Sequence, residues 1–272
     1  MVTIVSEWWI RLILGVIGSG LIGYSAYRKQ SLSLSGMLSA MIMGTGFVVF
    51  GEPIWFSLLI VFFISSTFWS KWKRSVAKKR EAEGNYEKSG RRDAGQVWAN
   101  GGIGLLLCIG HAIMPHEGWL YAYIGVMASV TADTWATEIG ALSKSEPISV
   151  ITWKRVSSGT SGGISWLGSL ASLAGATLIG LISSLYMQLD YRYIVAGAIA
   201  GFIGAMIDSI MGARLQVMYR CESCGKIIER KTHCGIKTQY WRGLSWMNND
   251  RVNGISSILG GAVTLGLLFI IL

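Results

Sequence analysis

Two carboxylates, Asp133 and Glu138, stand in the otherwise apolar setting of TADTWATEIG, residues 131–140. In a membrane helix, an unpaired carboxylate near the bilayer centre costs about 2.5–3.5 kcal/mol on insertion scales. Asp133 is therefore expected to face a bundle interior, a cation or water. The plainer readings are a structural ion pair or a neutral buried acid. Five positions do not stack two side chains on one helical face, so a cavity wrapping the helix end is needed to meet both. Asp208, in GAMIDS, is a third carboxylate in similar surroundings. Gln96 and Asn100 open one further apolar run, and Asn248, Asn249, Asp250 and Asn253 open another. VSSGTSGG, residues 156–163, precedes a third. Its Gly159, Thr160, Ser161 and Gly162 offer backbone N–H groups at a helix start, where the dipole favours phosphate. They also read as a flexible link with Ser/Thr capping. No GxxxxGK[ST] sequence is present, but Lys154 and Arg155 lie just upstream. Carboxylates for Mg2+, a Gly/Ser loop for phosphate and cations for the remaining charge are the parts that phosphoryl transfer needs.

A second constellation is Cys221-x2-Cys224 followed by His233-Cys234. In a reducing compartment these residues read as a structural zinc site more readily than as disulfides. Adjacent His and Cys residues reach one ion only across a sharp local turn, so a different fourth ligand, or no metal, stays open. Cys108 stands apart in an apolar run, as does His111, which reads as a packed histidine.

The elements that position these groups follow from hydropathy. The chain has 272 residues, 51% hydrophobic and only 14% charged, too few charges to cover a soluble protein of this length. The fold class is an all-α polytopic transmembrane bundle in one integral membrane domain, 1–272. Eight spans are expected: Trp9–Tyr27, Leu34–Phe50, Pro53–Ser70, Val97–Met114, Trp119–Leu142, Gly163–Met187, Tyr191–Met211 and Gly254–Leu272. The second and third are short enough to form a re-entrant pair instead. The first has no basic leader region and reads as a retained helix.

The connections at 28–33, 71–96, 143–162 and 212–253 hold 22 of the 24 Lys and Arg residues. The positive-inside rule assigns all four to the cytoplasm and both termini to the outside. The 212–253 loop is the longest and carries the Cys/His cluster. Every strong polar candidate then falls in the cytoplasmic half. KWKRSVAKKR, residues 71–80, reads as a topology signal beside anionic lipid head groups, and Arg91 and Arg92 as cations that gather an anionic substrate. No recognition module accompanies these bases, which argues against a nucleic acid polymer as partner. Asp133-Thr134 and Asp208-Ser209, with Asn100-Gly101 and Asn253-Gly254, form a faint internal echo of the kind a duplication leaves.

Taken as an ordered set, these residues resemble a known membrane family. The set is Gln96-Val97 with Asn100-Gly101, Ala132 to Gly140, Gly159 to Gly163, Gly204 to Ser209, and Asn248-Asn249 with Val252-Asn253. The family, called domain of unknown function 92, includes the chloroplast phytyl-phosphate kinase of tocopherol synthesis, animal transmembrane protein 19 and many prokaryotic proteins. The resemblance covers most of the chain and implies a prokaryotic member in the cytoplasmic membrane. It implies an isoprenoid (phytyl or prenyl) monophosphate kinase using CTP or ATP. Asp133, Glu138 and Asp208 would then hold Mg2+. Gln96, Asn100, Lys154, Arg155, the 159–162 loop, Asn249 and Asn253 would bind substrate and nucleotide. A cation- or proton-coupled transporter is the rival class, but it requires polar residues that continue to the outer side, where the sequence is nearly bare.

Overall fold

A computed structural model of the chain describes residues 8–88 and 90–271. The eight apolar runs are all helices: α1 Trp8–Arg28, α2 Leu34–Phe50, α3 Pro53–Lys71, α5 Ala94–Ile113, α6 Glu117–Gly140, α7 Trp166–Tyr186, α8 Tyr191–Arg214 and α9 Asn249–Ile271. Leu272, the last residue of the eighth expected span, and residues 1–7 lie outside the described residues. Six of these helices (α1, α3, α5, α7, α8 and α9) are long and apolar enough to cross a bilayer. The second and third spans are separate helices that meet at Gly51 and Glu52, with Pro53 at the first turn of α3, where its missing N–H is harmless.

α2, at 17 residues, is slightly shorter than those six. α6 is different in kind. It packs against α3, α5, α7, α8 and α9, and every residue from Tyr123 to Ala132 is buried. A helix enclosed on all sides needs no lipid-facing apolar stripe, so it tolerates Ser129, Thr131 and Asp133. Small residues let its neighbours close in. A Cβ added at Gly201 of α8 would lie 2.6 Å from the Ala176 Cβ of α7 and 2.8 Å from the Ala128 Cβ of α6. One added at Gly180 of α7 would stand 2.7 Å from the Tyr193 carbonyl oxygen of α8.

Several helices start where the sequence supplies caps. Asp93 and Gln96 form a reciprocal capping box on α5, and Ser33, Ser165 and Asp190 cap α2, α7 and α8. Far from the basic connections, Trp55 stacks on Tyr123 at 4.6 Å between ring centroids, with Phe47 at 5.6 Å from Tyr123. His111 packs its ring 5.5 Å from Trp55.

The basic connections are more structured than the hydropathy implies. A short helix, α4 Ala77–Asn85, lies within residues 71–96. Ile148–Ser149 (β1) pairs with Gly163–Ile164 (β2). The 212–253 connection folds into a small antiparallel module. Met218–Arg220 (β3) lies between Ile227–Ile228 (β4) and Gln239–Arg242 (β7), and Thr232–His233 (β5) forms a hairpin with Ile236–Lys237 (β6).

Candidate functional site

The polar residues of α5, α6, α7, α8 and α9 meet in one cavity of about 240 Å3 at the end of the bundle that carries the basic connections. Gln96, Asn100, Asp133, Glu138, Asp208, Asn249 and Asn253 all line it, as do Gly159 to Gly162. The sequence-derived constellation thus converges in space, except for Arg91, Asn248, Lys154 and Arg155, none of which lines the cavity. Lys154 and Arg155 are exposed beyond β1. The cavity's cations are Lys88 and Arg92.

The three carboxylates have different surroundings. Asp208 is 8% exposed. It accepts a hydrogen bond from the Ser256 hydroxyl at 2.8 Å and, with the Asn253 amide turned to suit its neighbours, from that nitrogen at 3.0 Å. Both donors sit on the first two turns of α9, so α9 fixes the Asp208 rotamer. Asp133 is half-buried and has no hydrogen bond or salt bridge among the described residues. Glu138 is already paired: its Oε2 lies 2.7 Å from the Nζ of Lys79 in α4. Lys79 is 1% exposed and also donates to the carbonyl oxygens of Trp69 (2.6 Å) and Trp72 (3.3 Å). Glu138 therefore anchors α4 over the cavity, and its charge is matched before any ligand arrives. Asp133, Glu138 and Asp208 do not close into a preformed three-carboxylate metal cage among the described residues. The pair Asp133 and Asp208 suits Mg2+, which keeps several waters and takes one or two protein carboxylates together with substrate phosphates.

The 156–163 loop is shaped by close packing. Gly159 and Gly162 have φ of +79° and +82°, and a Cβ on Gly162 would lie 2.4 Å from that of Ala213. The Ser161 hydroxyl donates to Gln216 Oε1 at 2.7 Å. No backbone acceptor takes the N–H of Ser161 or Gly162 among the described residues. Ser172, on α7, lines the same cavity and buries a hydroxyl with no partner.

Three contributors are not evident from the sequence. Lys88 bridges Asp93 at 3.0 Å and Asp250, tying the start of α5 to that of α9. Burial works against its charge, but the two carboxylates outweigh burial and raise its pKa. Tyr86 lines the cavity mouth. Glu229, just after β4, is 7% exposed, and burial lifts its carboxyl to about 7 despite hydrogen bonds from the Glu87 N–H (3.1 Å) and Gln216. Asp133, Asp208 and Glu229 are close enough for their charges to act on one another. Glu229 sits in a polar loop far from the other acids in sequence, and no local pattern marks it.

Beside the polar cavity lies an apolar chamber of about 60 Å3, lined by Met43, Phe56, Leu59 and Phe62. The two share Arg92, Gln96 and Asn100. The Arg92 guanidinium stands 5.5 Å over the Phe62 ring, a polar head on an apolar wall. The chamber shares Ile22 and Phe63 with an open cleft of about 650 Å3 between α1 and α3.

No solved structure matches the chain. Curated proteins do. Protein PGR of Arabidopsis thaliana is 30% identical over 281 residues, covering 93% of this chain and 95% of that one. An uncharacterised membrane protein of Methanocaldococcus jannaschii is 31% identical over 257 residues, covering 94% of each. Protein VTE6, chloroplastic, also of A. thaliana, is 26% identical over 262 residues, covering 93% of this chain and 68% of that one. The model of the integral membrane protein DUF92 family matches residues 17–261, which include every residue that lines the cavity. On that match and those likenesses, the chain belongs to the DUF92 family of integral membrane proteins.

Proposed function

We propose that the protein is an isoprenoid lipid monophosphate kinase, which transfers a phosphoryl group from CTP or ATP to a prenyl or phytyl monophosphate. The observation that carries this reading is the junction at Arg92, Gln96 and Asn100, where a cavity rich in charges meets an apolar chamber. An amphiphile with an anionic head in the charged cavity and the first carbons of its tail in the chamber matches that junction. Its phosphate would lie at Arg92 and its tail would run past Phe62 toward the cleft between α1 and α3, which gives access from the lipid phase. The likeness to the family of the chloroplast phytyl-phosphate kinase points the same way. On this reading the basic connections and the cavity mouth face the cytoplasm, where the nucleotide is.

The chemistry needs little from a general base. A phosphate monoester is largely dianionic at pH 7, since its second pKa is about 6. An oxygen of the acceptor phosphate attacks the γ-phosphorus in line, and the bond to the β-phosphate oxygen breaks to release the nucleoside diphosphate. Arg92 holds the acceptor phosphate, and Lys88, bridged to Asp93 and Asp250, holds the starts of α5 and α9 together at the mouth. The free N–H groups of Ser161 and Gly162 and the Ser and Thr hydroxyls of the 158–165 loop cradle phosphate oxygens. Asp133 and Asp208 would hold Mg2+, with Ser256 and Asn253 fixing Asp208. An ion held by these two carboxylates would supply positive charge against the charge that builds in phosphoryl transfer.

The test is phosphorylation of a panel of C10–C20 prenyl monophosphates by purified protein, with and without Mg2+ and with CTP and ATP separately. Diphosphate formation that needs both metal and nucleotide supports the reading. A negative panel combined with solute uptake in proteoliposomes would replace it with a transporter. The Trp55–Tyr123 stack beyond the cavity favours a site open on one side only.

A further inference from the structure

We infer that Cys221, Cys224, His233 and Cys234 bind one Zn2+, and that this ion sets the β3–β7 module that delivers Glu229 to the cavity mouth. The ligand atoms of these four residues lie within 4.8 Å of one another. His233 Nδ1 is 3.4 Å from Cys224 Sγ and 3.2 Å from Cys234 Sγ. A tetrahedral ion with Zn–S about 2.3 Å and Zn–N about 2.0–2.1 Å spaces sulfur and nitrogen by roughly 3.5 Å, so the cluster closes around such an ion with small adjustments. Three sulfurs and an imidazole in a closed set are a structural zinc donor set, with no open position for catalysis.

The backbone explains how adjacent His and Cys residues reach one point. Cys234 and Gly235 both have positive φ, +50° and +77°, in a two-residue turn between β5 and β6. That turn swings the Cys234 side chain back beside His233. On the other side, the Gly225 N–H donates to the Cys221 carbonyl at 2.8 Å and the Cys221 N–H to that of Lys226 at 2.9 Å, which curls Cys221 and Cys224 toward each other. The residues around this knuckle then dock on α4. Lys226 pairs with Glu81 at 3.1 Å, the Glu229 N–H donates to the Asn85 carbonyl at 3.0 Å, and Arg230 donates to that of Tyr86 at 2.7 Å. Of the apolar side chains in strands β3 to β7 only Met218 and Ile228 are buried, so a metal crosslink would add much of what sets the module's shape.

Metal analysis of the full-length protein, purified in detergent without chelator, tests this. One zinc per chain is expected. Cys224→Ser and Cys234→Ser should lose it, whereas Cys108→Ser, in α5, should keep it. His233→Cys should also keep zinc, because a thiolate replaces the imidazole as ligand; loss of zinc there would contradict the ligand assignment. Chelation should raise tryptic cleavage within residues 220–242 by about tenfold while helical circular dichroism is unchanged. Protein that holds no zinc as purified and takes up none at micromolar zinc overturns the inference, as does a chelated protein with unchanged cleavage. None of these measurements depends on phosphoryl transfer, so this inference and the kinase reading stand or fall separately.

Discussion

Asp133→Asn is the sharpest perturbation of the proposed site. The substitution keeps the side-chain shape and removes one negative charge. Asp133 has no hydrogen bond or salt bridge among the described residues, so folding loses no partner. The cost of carrying an unpaired carboxylate at membrane depth, about 2.5–3.5 kcal/mol on insertion scales, is relieved instead. The variant should therefore melt at or above the wild-type temperature. Turnover should behave oppositely. A carboxylate that holds Mg2+ against the transferring phosphoryl group is needed only when substrate is bound, and its loss should lower kcat by about 10³-fold or more, about 4 kcal/mol at 1.36 kcal/mol per tenfold. The assay is radiolabelled transfer from the nucleotide to a prenyl monophosphate across a Mg2+ titration, beside a detergent-compatible melting curve. A variant that keeps a tenth of the activity with unchanged Mg2+ dependence would refute the metal role. A variant that melts many degrees lower would refute the view of Asp133 as a free carboxylate, because it would then be a structural partner.

Other perturbations separate anchors from reactive groups. Lys79→Met should destabilise by about 3–5 kcal/mol, because it strands Glu138 without its partner, and adding Glu138→Gln should recover most of that loss in chemical denaturation. Arg92→Ala should raise KM for the lipid phosphate at least tenfold, whereas Lys154→Ala with Arg155→Ala should change it less than about twofold; equal effects in steady-state assays would contradict the cavity assignment. The raised carboxyl of Glu229 sets a pH dependence. Its folded pKa of about 7 exceeds the ordinary glutamate value, so the folded state binds more protons and stability falls as pH rises from about 4.5 to 7. Glu229→Gln should flatten that fall and stabilise the protein at pH 8 by on the order of 3 kcal/mol, read from melting curves at pH 5 and pH 8. A parallel shift of wild type and variant across that range would count against the buried-acid assignment.

The spans were legible because each is a long apolar run, and bilayer thickness leaves little choice of length. α6 was legible as a helix, but its central position was not: only the structure puts neighbours on all its sides. α4 is not legible in the sequence because AKKREAEGN has no apolar face, and tertiary contacts hold it. Of the six bases in residues 71–80, Lys79 alone turns inward, since it meets Glu138 and two carbonyl groups, and nothing in the run distinguishes it from its neighbours. Lys154 and Arg155 mislead in the other direction. They are close to the 156–163 loop in sequence, but they lie in the turn beyond β1, exposed outside the cavity. Adjacency along the chain is a poor guide wherever a hairpin intervenes.

The polarity of the cavity follows from helix direction as much as from side chains. Gln96 lies in the first turn of α5, Ser165 caps α7, and Asn249 begins α9, and all three line the cavity. Three helix N-termini, each equivalent to roughly half a positive charge, therefore point at one space. Asp133 and Asp208 reach the same space from α6 and α8, two helices that arrive in the opposite sense and end there. The echo in the sequence now has a geometric meaning: each Asn opens a departing helix and each Asp lies near the end of an arriving one. N-termini with Arg92 favour anions, whereas Asp133 and Asp208 favour a cation. An occupant that satisfies both must itself carry both signs in close contact. A phosphate–Mg2+ unit does so, which is the geometric support for the proposed phosphoryl transfer.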